Sequence, residues 1–104
     1  MKLLKETEGQ TIFTWNDDEI VLDTEKNPIH EMIENTCYDI LGVERSLVSE
    51  NDMHIRRMTE ITEAVLNGKH VSSVPSTDRL TELAARREVY YQELVKLVYL
   101  LKNL

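Results

Sequence analysis

The side chains best suited to chemistry are Arg56 and Arg57, then Arg86, Arg87, Tyr90 and Tyr91, with His54 close to the first pair. A guanidinium fork holds phosphate or carboxylate through two parallel hydrogen bonds, and a tyrosine ring stacks on a base, so the set suits a nucleotide-like anion. Carboxylates at helical spacing compete for the same arginines: Asp52 to Arg56 and Glu82 to Arg86 are i,i+4 pairs in the favourable order. Arg87 differs, because it falls inside a stripe of leucines where a charge destabilises unless a partner or ligand neutralises it. It either sets the register of helix pairing or binds an anion.

The remaining reactive side chains, His30, Cys37, His54 and His70, stand in no recognisable arrangement. There is no Cys-x-x-Cys and no His-Glu-x-x-His, and Gly68-Lys69 lacks the glycine-rich turn that cradles phosphates. Asp17-Asp18-Glu19 would attract a cation, yet it lacks the spaced ligands of a calcium loop. The expectation is a protein without catalysis, cofactor or metal.

These groups must be positioned by a short list of elements. Residues 1–25 alternate apolar runs with turn residues: Thr11-Ile12-Phe13-Thr14-Trp15, then Asn16-Asp17-Asp18-Glu19, then Ile20-Val21-Leu22. β-branched and aromatic residues between Asx-rich turns predict a hairpin or meander of two or three strands. Residues 27–104 predict three helices. The first opens at Asn27-Pro28, carries Ile29, Met32, Ile33, Cys37, Ile40 and Leu41 on one face, and stops at Gly42. The second runs from about 46–49 to about 67, with Met53, Met58, Ile61 and Val65 inward and Gly68 ending it. After a loop over 68–75, the third places Leu80, Leu83, Arg87, Tyr90, Leu94, Leu97, Leu101 and Leu104 at heptad a and d positions, with Ala84, Tyr91 and Val98 widening the stripe. The second and third helices should form a long antiparallel hairpin. With the loop centred near residue 72, Arg56 and Arg57 come level with Arg87, and four arginines meet at one height.

The run 94–104 is apolar almost all round, so something must cover it. Either the N-terminal sheet packs there or an identical helix from another subunit does. The expectation is a homo-oligomer whose interface uses Leu94, Leu97, Val98, Leu101 and Leu104.

The segment Tyr38-Asp39-Ile40-Leu41-Gly42-Val43-Glu44-Arg45-Ser46-Leu47-Val48-Ser49 resembles the turn of helix-turn-helix DNA-binding regulators. The resemblance covers about a dozen residues and implies a recognition helix presenting Glu44, Arg45, Glu50, Asn51 and Asp52 to the major groove. Three carboxylates there would repel the phosphates that supply most of the affinity.

Charge distribution bears on the same point. The 104 residues carry a net charge of −7, with four basic and thirteen acidic side chains in residues 1–52 against eight and six in 53–104. An acidic first half disfavours nucleic acid and anionic lipid and steers a basic partner. The chain is short enough for one domain spanning 1–104, with a modest core and little left to enclose a catalytic cleft. One cysteine, a charged N-terminus and no long apolar run point to the cytoplasm. The expected function is therefore a non-enzymatic, acidic, homo-oligomeric binding protein, an inhibitor or adaptor of a macromolecular partner. The alternatives are capture of a small anionic nucleotide-like ligand in an Arg/Tyr pocket between subunits, and DNA regulation.

Overall fold

The computed structural model describes residues 1–23, 28–71 and 73–103. It is an α+β arrangement: strands β1 (Lys2–Thr7), β2 (Gln10–Trp15) and β3 (Asp18–Leu22), then helices α1 (Pro28–Leu66) and α2 (Asp78–Lys102). The strands form an antiparallel meander in the order β1-β2-β3. Its turns follow local chemistry. Asn16 and Asp17 both take positive φ, 50° and 65°, as the two corner residues of a hairpin that matches strand twist. Thr11 and Phe13 of β2 alternate inward with Ile20 and Leu22 of β3, so one face of the sheet is apolar. β1 is exposed along its whole length; a register shift between Leu3 and Lys5, with Lys2 and Lys5 along it, blunts this open edge.

The helical part differs from the expected three helices. α1 is one helix of 39 residues that runs through Gly42, and residues 46–49 lie in its interior rather than at a new start. A glycine inside a helix costs only about 1 kcal/mol relative to alanine. Here the inward stripe Ile33, Cys37, Ile40 and Val43 continues across it in unbroken helical spacing, and burial of those side chains outweighs the cost. The turn required by the helix-turn-helix resemblance is therefore not formed. Gly68, in contrast, does end its helix: at φ 76° it turns the chain, and the amides of Gly68 and Lys69 return to the carbonyls of Val65 and Ala64. The expected cap at Asn27, the strand limit at residues 24–25 and Leu104 lie outside the described residues.

α1 and α2 pack as a hairpin, and the sheet lies against one end of it. The core there combines Phe13, Ile20 and Leu22 from the sheet, Ile33, Cys37 and Ile40 from α1, and Leu94 and Leu97 from α2. Leu94 and Leu97 thus fill the chain's own core and are closed to a partner, contrary to their expected place in an oligomer interface. Val98 and Leu101 pack partly buried against the same cluster. The reason is simple: the sheet's apolar face needs a cover as much as the leucines do. His30 Nδ1 accepts from the Asp23 amide at 2.9 Å and Thr11 Oγ1 donates to Glu34 at 3.2 Å, locking sheet to helix.

The molecule measures 64 × 23 × 20 Å with a radius of gyration of 19.3 Å. A compact chain of this length would have about 13 Å. Its 7515 Å² of surface likewise exceeds the roughly 6,000 Å² of a compact monomer of this mass.

Candidate functional site

Arg87 finds its neutralising partner inside the chain. Its Nε donates to Glu44 Oε1 at 3.3 Å, and its guanidinium lies 4.5 Å from the centre of the Tyr91 ring. The Tyr91 hydroxyl donates to the same carboxylate oxygen at 2.6 Å, and Trp15 stands 6.0 Å from Tyr91, ring centre to ring centre. The amino group of Met1 lies 3.7 Å from the other oxygen of Glu44. Burial, and then the Glu44 carboxylate, push the Tyr91 phenol from 10.0 up to about 12. This cluster ties α1, α2 and the start of the sheet together at one level, which is a register device. Sequence reasoning assigned Glu44 to a DNA-reading turn; the signal that would have found it is the need of Arg87 for one acidic partner on the facing helix.

The same contact separates the four arginines. Glu44 of α1 stands opposite Arg87 and Tyr91, whereas Arg57 shares a cleft with Arg79 and Leu80. Glu44 and Arg57 lie roughly 20 Å apart along α1 at ~1.5 Å per residue. Arg56 and Arg57 are therefore not level with Arg86 and Arg87 within one chain. The cause is the connection between the helices: Ser73, Val74 and Pro75 run back beside Arg57, Glu60 and Ile61, so α2 begins well short of the tip of α1. Arg86 pairs with Glu82 at 3.2 Å as expected, and Glu82 also receives Arg79 at 3.3 Å. Tyr90 packs partly buried against the core.

The cleft at this end encloses about 230 Å³ between Glu50, Met53, His54, Arg57, Pro75, Ser76, Arg79 and Leu80. Ser76 accepts from the Asp78 amide at 3.1 Å, in the first turn of α2. His54, Arg57 and Arg79 face Glu50 here, with Arg79 also held by Glu82, and the cleft is small for a nucleotide-sized ligand.

A larger feature is a second apolar stripe on α1. Val48, Ile55, Thr59, Thr62 and Leu66 recur at heptad spacing on a face turned away from α2, and Val48, Ile55 and Leu66 are 63%, 55% and 80% exposed. Thr59 and Thr62 donate their hydroxyls back to the carbonyls of Ile55 and Met58, which leaves methyl groups as their outward surface. Two shallow grooves lie in line along it, one between Leu41, Arg45, Val48 and Asp52, the other between Ile55, Met58, Thr59 and Thr62.

Cys37 is buried, and its thiol is pushed from 9.0 to about 12 by burial and then by Glu34. Such a thiol is a packing group, not a nucleophile. Beside it the Tyr38 ring meets Phe13 edge-on at 5.3 Å, with its hydroxyl shielded and unbonded among the described residues. Burial, reinforced by Glu6, raises that phenol from 10.0 to about 12. Among the described residues no group of three or more His, Cys, Asp or Glu side chains is placed to hold a metal, and no helix is long and apolar enough to cross a membrane. In comparisons with known proteins the chain matches no family model, no curated protein and no solved structure.

Proposed function

We propose that the protein is a non-enzymatic, acidic, homo-oligomeric binding protein of the cytoplasm that works as an inhibitor or adaptor of a macromolecular partner. The observation that carries this reading is the exposed apolar stripe of α1 on a rod whose surface exceeds that of a compact monomer by about 1,500 Å². Apolar surface of that kind marks a protein-facing site. The sheet end adds exposed carboxylates at both of its hairpins, Glu6 and Glu8 at one and Asp17, Asp18 and Glu19 at the other, which suits a basic partner surface. The one thiol, buried and single, fits a reducing compartment.

A second reading, capture of a small anionic nucleotide-like ligand between subunits, draws on the cleft lined by His54, Arg57 and Arg79. It requires a neighbouring chain to enlarge that cleft.

The experiment is the native mass of the purified protein with and without a panel of nucleotides and cyclic dinucleotides. An oligomer that gains no ligand mass is the expected result. An oligomer that takes up nucleotide moves the function to ligand capture, and a monomer at all concentrations overturns the oligomeric reading.

A further inference from the structure

We infer that the outer stripe of α1 is a seam for a second copy of this chain, docked antiparallel so that facing residues sum to about 108. The inference rests on the oligomeric reading above and names its surface. Three observations carry it.

The first is composition. Val48, Ile55, Thr59, Thr62 and Leu66 form an exposed, largely apolar track over five turns of α1, interrupted at Asp52 and outside the seam already used by α2, with Leu41 half-buried against the core at its sheet end. The second is area. The elongated rod exposes more surface than a compact monomer of its mass, and a copy laid along α1 would cover part of that excess. The third is charge. Two antiparallel helices related by a two-fold axis bring the same flank of each helix together, in reversed order. One side of the stripe carries Arg45, Asp52, Arg56 and Glu63, with Arg45 and Asp52 at the heptad position that Thr59 and Leu66 fill further along; all four are exposed and without an ion pair among the described residues. A single register places Arg45 opposite Glu63 of the second copy and Asp52 opposite its Arg56. In that register Ile55 meets its own copy near the axis, Val48 falls between Thr59 and Thr62 of the second copy, and Leu41 meets Leu66. The charges and the apolar layers fit this one offset together, whereas other offsets set like charges together or leave the track out of phase. A parallel pairing would bring each flank against the opposite one and leave these charges unmatched.

Sedimentation equilibrium of the full chain and three variants tests this, with circular dichroism to verify folding; all the altered positions are exposed. Ile55→Arg should weaken dimerisation at least about 100-fold by forcing two guanidinium groups together in the seam. Arg45→Glu should weaken it about tenfold, and adding Glu63→Arg to Arg45→Glu should restore the wild-type constant within about threefold, since the pairs are remade in reverse. If the wild-type chain associates but Ile55→Arg leaves its mass unchanged, the seam is elsewhere; the inference fails while the oligomeric function stands. If Ile55→Arg dissociates the pair and the double variant does not recover over Arg45→Glu, the antiparallel register is wrong. A wild-type monomer overturns both.

Discussion

The two ends of the α1–α2 hairpin carry the same kind of helical stripe and bury it very differently. At the sheet end Ile33, Cys37, Ile40, Leu94 and Leu97 are sealed by Phe13, Ile20 and Leu22. Beyond Val43 no described residue of α1 is buried, and Leu83 is the one such residue of α2 before Leu94. Two helices in contact exclude water from one seam only, whereas a third layer closes the seam into a core. The difference separates a part that holds the fold from a part left available for contacts.

The largest effect expected is driven by pH and belongs to the sheet end, where Cys37, Tyr38 and Tyr91 all have raised pKa values. Each folded-state pKa lies above its ordinary value, so the folded chain holds these protons more tightly than the unfolded chain. Their contribution is full below about pH 9 for the thiol and pH 10 for the phenols, and is lost as pH rises through about 12. Far-ultraviolet dichroism against pH should show cooperative unfolding in that window. A Cys37→Ala, Tyr91→Phe variant should move the onset upward; an unmoved onset would place the alkaline lability elsewhere.

Next in size, Leu94→Ala should destabilise by about 2–5 kcal/mol, as for a fully enclosed leucine, and half-buried Leu80→Ala at the open end by about 1 kcal/mol. Urea unfolding of both variants decides; equal costs would mean that the ends are equally closed. Glu44→Gln should cost about 1–2 kcal/mol, because Tyr91 and Arg87 both lose their charged acceptor, and a double-mutant cycle with Arg87→Met should show coupling. Additive effects would remove the register role of that pair.

Gly42→Ala should stabilise by about 0.5–1 kcal/mol, since an added Cβ meets nothing within 4 Å and the helix continues on both sides. Loss of stability would restore a turn at that position. The smallest change is Tyr38→Phe, which removes a shielded, unbonded hydroxyl and should leave the melting temperature unchanged or slightly raised. A marked fall would reveal a hydrogen bond to that group.

Much of this architecture was legible in the residues because it is locally encoded. Asn16-Asp17 dictates a tight hairpin, Gly68 a helix end, and the leucine spacing of 80–101 a helix with one apolar face. The candidate site was legible only in part. Arg87 was identifiable as a charge in need of a partner, but Glu44 as that partner was not, because the offset between α1 and α2 depends on Ser73, Val74 and Pro75 running back beside α1. The stripe Val48, Ile55, Thr59, Thr62, Leu66 was missed because a stop assumed at Gly42 cut α1 in two and set the phase of its second half from the inward residues alone.

By itself, then, the sequence determined the strands, their turns, the last helix and the −9 to +2 polarity of charge between the halves. Those features follow from backbone preference and side-chain period within a few residues. Only the tertiary structure decided that α1 passes through Gly42, that the sheet rather than another chain covers Leu94 and Leu97, and that the arginines part into two groups. Each of these weighs a small local penalty against burial by residues distant in the chain, and a local pattern does not contain that balance.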